Sequence, residues 1–264
     1  MYIYDDGIKL AAELDLPEGL EPIYTGEGGA RIRISDFDGK KLPICVLLHG
    51  FTGWKEEPHI LGIAKAMNEM GLAVLRVDMY GHGHSDGEFK NHDLRKWIGN
   101  AMAAIDYARS LDFAGDIYLS GHSQGGLCTI LTAAIMKDRL KGIIPLAPAT
   151  VIMDMVNSGS FFGIPMAGGI PEEITLPGKG LRLSGNYARV ALQLDYHKAI
   201  AAYEGPVLIV HGDADEAVPV AYAYQAAEEY KNCELAIIPG DSHCYDYHLD
   251  QVCEAVKAWL KKQL

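Results

Sequence analysis

The chain has 264 residues, 49% of them hydrophobic and 22% charged, with 35 acidic against 23 basic side chains and a formal net charge of −12. Such a length and composition fit a soluble globular protein of one large domain, or a core with a small insertion. The acidic balance argues against nucleic acid or an anionic membrane as the main partner.

The opening residues Met1 to Asp6 lack the basic and apolar regions of a secretory signal, and no run is long and apolar enough to span a bilayer. Five cysteines (Cys45, Cys128, Cys233, Cys244 and Cys253) have neither zinc-ligand nor redox-motif spacing. Reduced thiols in a cytoplasmic protein are therefore expected, with Cys45 and Cys128 in the core.

Tyr2 to Asp15 reads as two short strands around the turn Asp5-Asp6-Gly7. The stretch 17–41 is rich in Gly, Pro and charge; within it Arg31 to Ile34 alternates like a half-exposed strand, and Asp38-Gly39 has the form of a hairpin turn. From Pro43 the texture changes. Ile44 to Leu48 is a continuous apolar run, as in a strand buried on both faces. A helix is expected near Glu57 to Met70, a strand over Leu72 to Val77, and a helix over Asp93 to Leu111 with Trp97, Ala101, Ala104, Ile105 and Ala108 on one face. Asp116 to Ser120 is the next strand, Gln124 to Met136 the next helix, and Gly142 to Leu146 a further strand. Near the C-terminus, strands Pro206 to Val210 and Glu234 to Ile238 alternate with helices Val220 to Tyr230 and Leu249 to Lys262. Strands alternating with helices imply an α/β fold, a mainly parallel sheet covered on both faces. The Gly- and Pro-rich stretch 149–202 breaks this rhythm and is expected to be an inserted lid on a core of 1–148 and 203–264.

The most informative segment joins a predicted strand to a predicted helix through Gly121-His122-Ser123-Gln124-Gly125. A Gly-x-Ser-x-Gly in that context is a nucleophile elbow, which exposes the serine hydroxyl at a sharp turn. The N–H of Gln124 opens the helix and is free to donate to an oxyanion. A second donor is expected at Phe51, in His49-Gly50-Phe51-Thr52-Gly53 after the first buried strand. Serine needs a base, and the base needs an orienting acid. His243 lies between the last predicted strand and the last helix. For the acid, Asp213, Asp215 and Glu216 are all candidates. Asp215 takes the place of the acid in the pattern Gly-x-x-Asp-x-x-Val-Pro, and Asp213 is expected to shape the loop. The order Ser, Asp, His is that of the α/β-hydrolase fold. His82 and His84 are too sparsely accompanied for a metal site, no nucleotide-binding glycine motif is present, and no cofactor is expected.

Taken together, His49-Gly50-Phe51-Thr52-Gly53, Asp78-Met79-Tyr80-Gly81-His82-Gly83, Gly121-His122-Ser123-Gln124-Gly125-Gly126, His211-Gly212-Asp213-x-Asp215-Glu216-Ala217-Val218-Pro219 and Gly240-Asp241-x-His243-Cys244-Tyr245 resemble the bacterial cinnamoyl (feruloyl) esterases of the α/β-hydrolase superfamily. The likeness runs from about residue 43 onward and includes the N-terminal hairpin. It implies Ser123, Asp215 and His243 as a triad, Phe51 and Gln124 as oxyanion donors, and a small lid over the acyl pocket. Within the lid, Ser184 to Val190 is similar to the segment whose tyrosine approaches the substrate's phenolic end, which implies Tyr187. No tryptophan falls in 149–202, so Phe161, Phe162 and Tyr196 are its other aromatic candidates. The implied reaction is hydrolysis of a small-molecule hydroxycinnamate ester through an acyl-enzyme. A monoacylglycerol-type lipase, another short-acyl esterase or thioesterase, a peptidase and a ligand receptor on the same scaffold stay open, as does a homodimer.

Overall fold

The computed structural model describes residues 1–25, 31–34, 39–166 and 168–264. In chain order the strands are β1 (Tyr2–Asp5), β2 (Ile8–Asp15), β3 (Pro22–Thr25), β4 (Arg31–Ile34), β5 (Leu42–Leu48), β6 (Ala73–Val77), β7 (Ala114–His122), β8 (Gly142–Leu146), β9 (Ser160–Phe161), β10 (Ile164–Pro165), β11 (Glu173–Thr175), β12 (Arg182–Ser184), β13 (Val207–Gly212) and β14 (Cys233–Ile238). The helices are α1 (Pro58–Glu69), α2 (Leu94–Ser110), α3 (Gln124–Met136), α4 (Val151–Asn157), α5 (Asn186–Ala191), α6 (Tyr196–Ala202), α7 (Ala221–Glu229) and α8 (Leu249–Gln263).

Among the described residues the main sheet has eight strands in the order β1-β2-β6-β5-β7-β8-β13-β14. The β1–β2 hairpin joins antiparallel to β6, and every later pairing is parallel. The apolar runs are continuous because the sheet is covered on both sides. On β5, Ile44, Val46 and Leu48 face the core under α2, α3 and α7, while Cys45 and Leu47 face α1 and α8; none is exposed. Each such side chain contributes roughly 1.5–3 kcal/mol of burial. The expected face of α2 is buried as its spacing requires, and Asp93 caps the helix by accepting the Lys96 N–H at 3.0 Å. Helix α3 is buried almost all round, which explains its lack of a polar stripe.

Parallel strands put their carboxyl ends on one edge, so the loops after β5, β6, β7, β13 and β14 meet there. Strand β7 runs two residues beyond the expected Ser120, because Gly121 and His122 still pair with Pro145 and Leu146 of β8. Among the described residues between β8 and β13 no strand joins the main sheet; the stretch folds into α4, the hairpins β9–β10 and β11–β12, and α5, while α6 packs on α3 and α7. Strand β4 occurs as expected, and its partner β3 was not read from the sequence. Asp38 of the expected Asp38-Gly39 turn lies outside the described residues.

Candidate active site

Strand β7 ends at His122 and α3 begins at Gln124, so Ser123 alone makes the turn. Its backbone sits at φ 58° and ψ −116°, a conformation L-residues rarely adopt, and such strain concentrates where a side chain must be presented. The two flanking glycines make the approach possible. A Cβ on Gly121 would lie 2.4 Å from the Gly125 carbonyl oxygen, and one on Gly125 would lie 2.5 Å from that of His49.

The loops after β13 and β14 bring Asp215 and His243 to this turn. His243 Nε2 lies 2.9 Å from Ser123 Oγ, and His243 Nδ1 lies 2.7 Å from Asp215 Oδ2. Asp215 Oδ1 accepts the N–H groups of Ala217 and Val218, each at 2.8 Å, and His211 Nε2 is 3.1 Å from Oδ2. Burial alone would raise the pKa of Asp215. The hydrogen bonds from His211 and His243 outweigh it and hold the carboxyl well below the usual carboxylate range. Asp213 takes a different part: its Oδ1 accepts the Gly240 N–H at 2.6 Å and ties the two loops together. Glu216 is exposed.

Phe51 follows β5 in the loop facing the elbow. The N–H groups of Phe51 and Gln124 have no partner among the described residues. The loop itself is held from below. His49 donates from Nδ1 to the Gly50 carbonyl at 2.8 Å and accepts the Met79 N–H on Nε2 at 3.0 Å, a neutral tautomer that burial favours. His82 lies between the carbonyl oxygens of Tyr80 and Phe51, one ring nitrogen against each, and its single N–H donates to one of them. Asp78 Oδ1 and Oδ2 accept the N–H groups of Lys55 and His84 at 2.8 and 3.0 Å. The Asp78-to-Gly83 motif is therefore a brace under the Phe51 loop, with the His84 side chain 78% exposed and turned away.

Two histidines support the loop of His243. A carbonyl oxygen only accepts, so His122 Nε2 donates to the His243 carbonyl at 2.8 Å, and its Nδ1 must accept from His59 Nε2 at 3.2 Å. Burial lowers the pKa of both rings, that of His59 to about 4. Nothing in the sequence pattern singled out His59, on α1.

Ser123 and His243 open into a cavity of about 440 Å³, within the range of small-molecule sites. Val151, Ile152, Met155, Phe162 and Leu176 of the 149–202 segment form much of its apolar wall. Phe162 lines the cavity, whereas Phe161 and Tyr187 are not among its lining residues. Both are fully buried behind the wall, their rings stacked with centroids 5.3 Å apart. The Tyr187 hydroxyl is already engaged, donating to Gln124 Oε1 at 2.5 Å. Tyr196 is also buried and away from the cavity lining. Glu57 and Lys179 line the cavity and were missed, because their nearness to Ser123 arises only from folding.

A family model described as serine aminopeptidase, S33, matches residues 39–171, half of the chain. The solved structure of Est1E from Butyrivibrio proteoclasticus with ferulic acid bound is 46% identical, covers all of this chain and 98% of its own, and superposes with a TM-score of 0.90. The bifunctional esterase/perhydrolase DCH of Acinetobacter calcoaceticus is 24% identical over 83% of this chain and 91% of its own length. A monoacylglycerol lipase of Mycolicibacterium smegmatis is 24% identical over 92% and 98%. The chain belongs to the α/β-hydrolase superfamily, as a serine ester hydrolase of the cinnamoyl (feruloyl) esterase family.

Proposed function

We propose that Ser123 is the nucleophile, His243 the general base, Asp215 its orienting acid, and the N–H groups of Phe51 and Gln124 the oxyanion hole. The observation that carries this reading is the unbroken hydrogen-bond chain Ser123–His243–Asp215 at the floor of an apolar cavity. Ser123 Oγ attacks the ester carbonyl carbon as its proton passes to His243 Nε2. The oxyanion collapses, the C–O bond to the alcohol breaks, and the alcohol leaves with that proton. Water, giving a proton to His243, then attacks the acyl-enzyme carbonyl; the acyl bond to Ser123 Oγ breaks, His243 returns the proton to Oγ, and the carboxylic acid is released. Each oxyanion donor is typically worth about 3 kcal/mol in the transition state.

The acyl group is a hydroxycinnamoyl. Two observations support this class: the aromatic rings of Phe51 and Phe162, 5.1 Å apart, both line the cavity, and the similar Est1E was solved with ferulic acid. The segment 149–202 acts as a lid, since its side chains supply the wall opposite Ser123. A cytoplasmic location fits five free cysteines and the absence, among the described residues, of a helix able to cross a membrane.

The test is a comparison of kcat/KM for methyl ferulate, a medium-chain monoacylglycerol and an aminoacyl p-nitroanilide. Methyl ferulate is expected to lead by at least about tenfold, the effect of roughly 1.4 kcal/mol in differential transition-state binding. A lead for the monoacylglycerol or the anilide overturns the acyl assignment while leaving the triad intact.

A further inference from the structure

One end of the catalytic cavity is polar. Thr52, Glu57 and Lys179 line it beside Ser123 and His243. Glu57 immediately precedes α1 yet makes no side-chain capping bond to it. Its carboxylate instead folds back over Gly53, where a Cβ would lie 2.0 Å from Glu57 Oε2. That oxygen is buried and has no hydrogen-bond partner among the described residues. Buried acceptors are nearly always paired, so an unpaired carboxylate oxygen on a residue that lines the cavity leaves acceptor capacity there for a donor on the ligand.

The chemistry fixes which part of the ester meets this end. His243 must hand its proton to the departing alcohol oxygen, so the alcohol component sits on the histidine's side of Ser123. Glu57 lies close enough to His243 and Cys244 for their charges to interact. The apolar wall of Val151, Ile152, Met155 and Phe162 remains for the acyl group. Lys179, held by its Nζ donating to Thr52 Oγ1 at 2.9 Å, also acts on Glu57. A cation that already acts on the carboxyl from a distance disfavours an ammonium ligand and leaves a neutral hydroxyl as the fitting donor. Burial raises the pKa of Glu57, with the Trp54 backbone, Lys179 and His243 pulling it back down. A ligand hydroxyl can donate to the carboxyl oxygen that lacks a partner.

We propose that Glu57 is a specificity-determining residue whose carboxyl hydrogen-bonds a hydroxyl on the alcohol component of the ester, so that esters of polyols are preferred over those of simple alkanols. This rests on Ser123 and His243 as the acyl-transfer pair and is independent of the acyl class.

The test uses two acetate esters of matched size, 2-hydroxyethyl acetate and propyl acetate, on the wild type, Glu57→Leu and Glu57→Gln, with thermal melts to verify folding. The readout is the ratio of the two kcat/KM values, which a general loss of activity does not move. Glu57→Leu is expected to lower the hydroxyethyl-to-propyl ratio roughly fivefold to tenfold, the effect of one hydrogen bond. Glu57→Gln, which keeps an acceptor oxygen in place, should retain most of the preference. An equal loss on both esters, or an unchanged ratio in Glu57→Leu, overturns the proposal. Failure of a fluorophosphonate to label Ser123 in the wild type is the separate sign that the acyl-transfer reading has failed, and this proposal with it.

Discussion

Asp213 and Asp215 are two residues apart and have different tasks. Asp215 is enclosed by two backbone N–H groups and two imidazoles, whereas Asp213 bridges to the Gly240 N–H. Asp215→Asn is expected to lower kcat by roughly 10⁴-fold, because the amide traps the wrong tautomer of His243. Asp213→Asn should leave kcat within about threefold and lower the melting temperature slightly, since it loses charge on one loop bond. Steady-state kinetics on both variants decide the matter; a larger kcat loss in folded Asp213→Asn reverses the assignment. Tyr187 was expected at the substrate and is instead a buried donor to Gln124. Tyr187→Phe leaves Gln124 Oε1 unpaired beside a Gln124 Nε2 that already has no partner among the described residues. A cost of about 1–3 kcal/mol in stability follows, with similar kcat/KM losses on methyl ferulate and p-nitrophenyl acetate. A loss confined to methyl ferulate would restore Tyr187 to the substrate. The proposed triad of Ser123, Asp215 and His243 was legible because each residue stands beside a strand end in a short local pattern. The place of the Tyr187 ring was not legible, because a sequence segment carries no record of which way a ring turns.

At the scale of elements, the β7–α3 junction depends on close backbone approach. Gly121→Ala pushes a methyl group against the Gly125 carbonyl, an atom of a buried helix that cannot swing aside. We expect a loss of melting temperature and of kcat together; a variant with wild-type kcat and stability contradicts the elbow's geometry. Helix α1 is joined to the His243 loop through His59 and His122. That link was not legible, since it connects three segments distant in sequence and each histidine alone is unremarkable. The strands buried on both faces were legible from their continuous apolar runs. Strand β3 and the hairpins of 149–202 were not, because strands of two to four residues among glycines and prolines leave no period to read.

The molecule as a whole buries an unusual set of histidines. His49, His59, His82, His92 and His122 all have lowered pKa values, chiefly through burial, with His59 at about 4 and His92 at about 3. In the unfolded chain they titrate near ~6.5. Between those values the unfolded state binds more protons, so their stabilisation is present above about pH 6.5 and is lost as pH falls toward the folded pKa values. Each ring contributes a slope of at most about 1.4 kcal/mol per pH unit. Urea unfolding should therefore show stability falling steeply from pH 6.5 to pH 4.5, and His59→Gln should flatten that limb. Stability that stays level over this range contradicts the burial of neutral imidazoles.

Turnover ties the residue, the elbow and the cavity together through one covalent intermediate. The most direct measurement is mass spectrometry of the protein quenched with acid during hydrolysis of a feruloyl ester, followed by peptide mapping. The expected result is one feruloyl group per chain, on the peptide and at the hydroxyl of Ser123, and absent from Ser123→Ala. A feruloyl group on any other residue, or steady hydrolysis by Ser123→Ala at the wild-type rate, contradicts the mechanism.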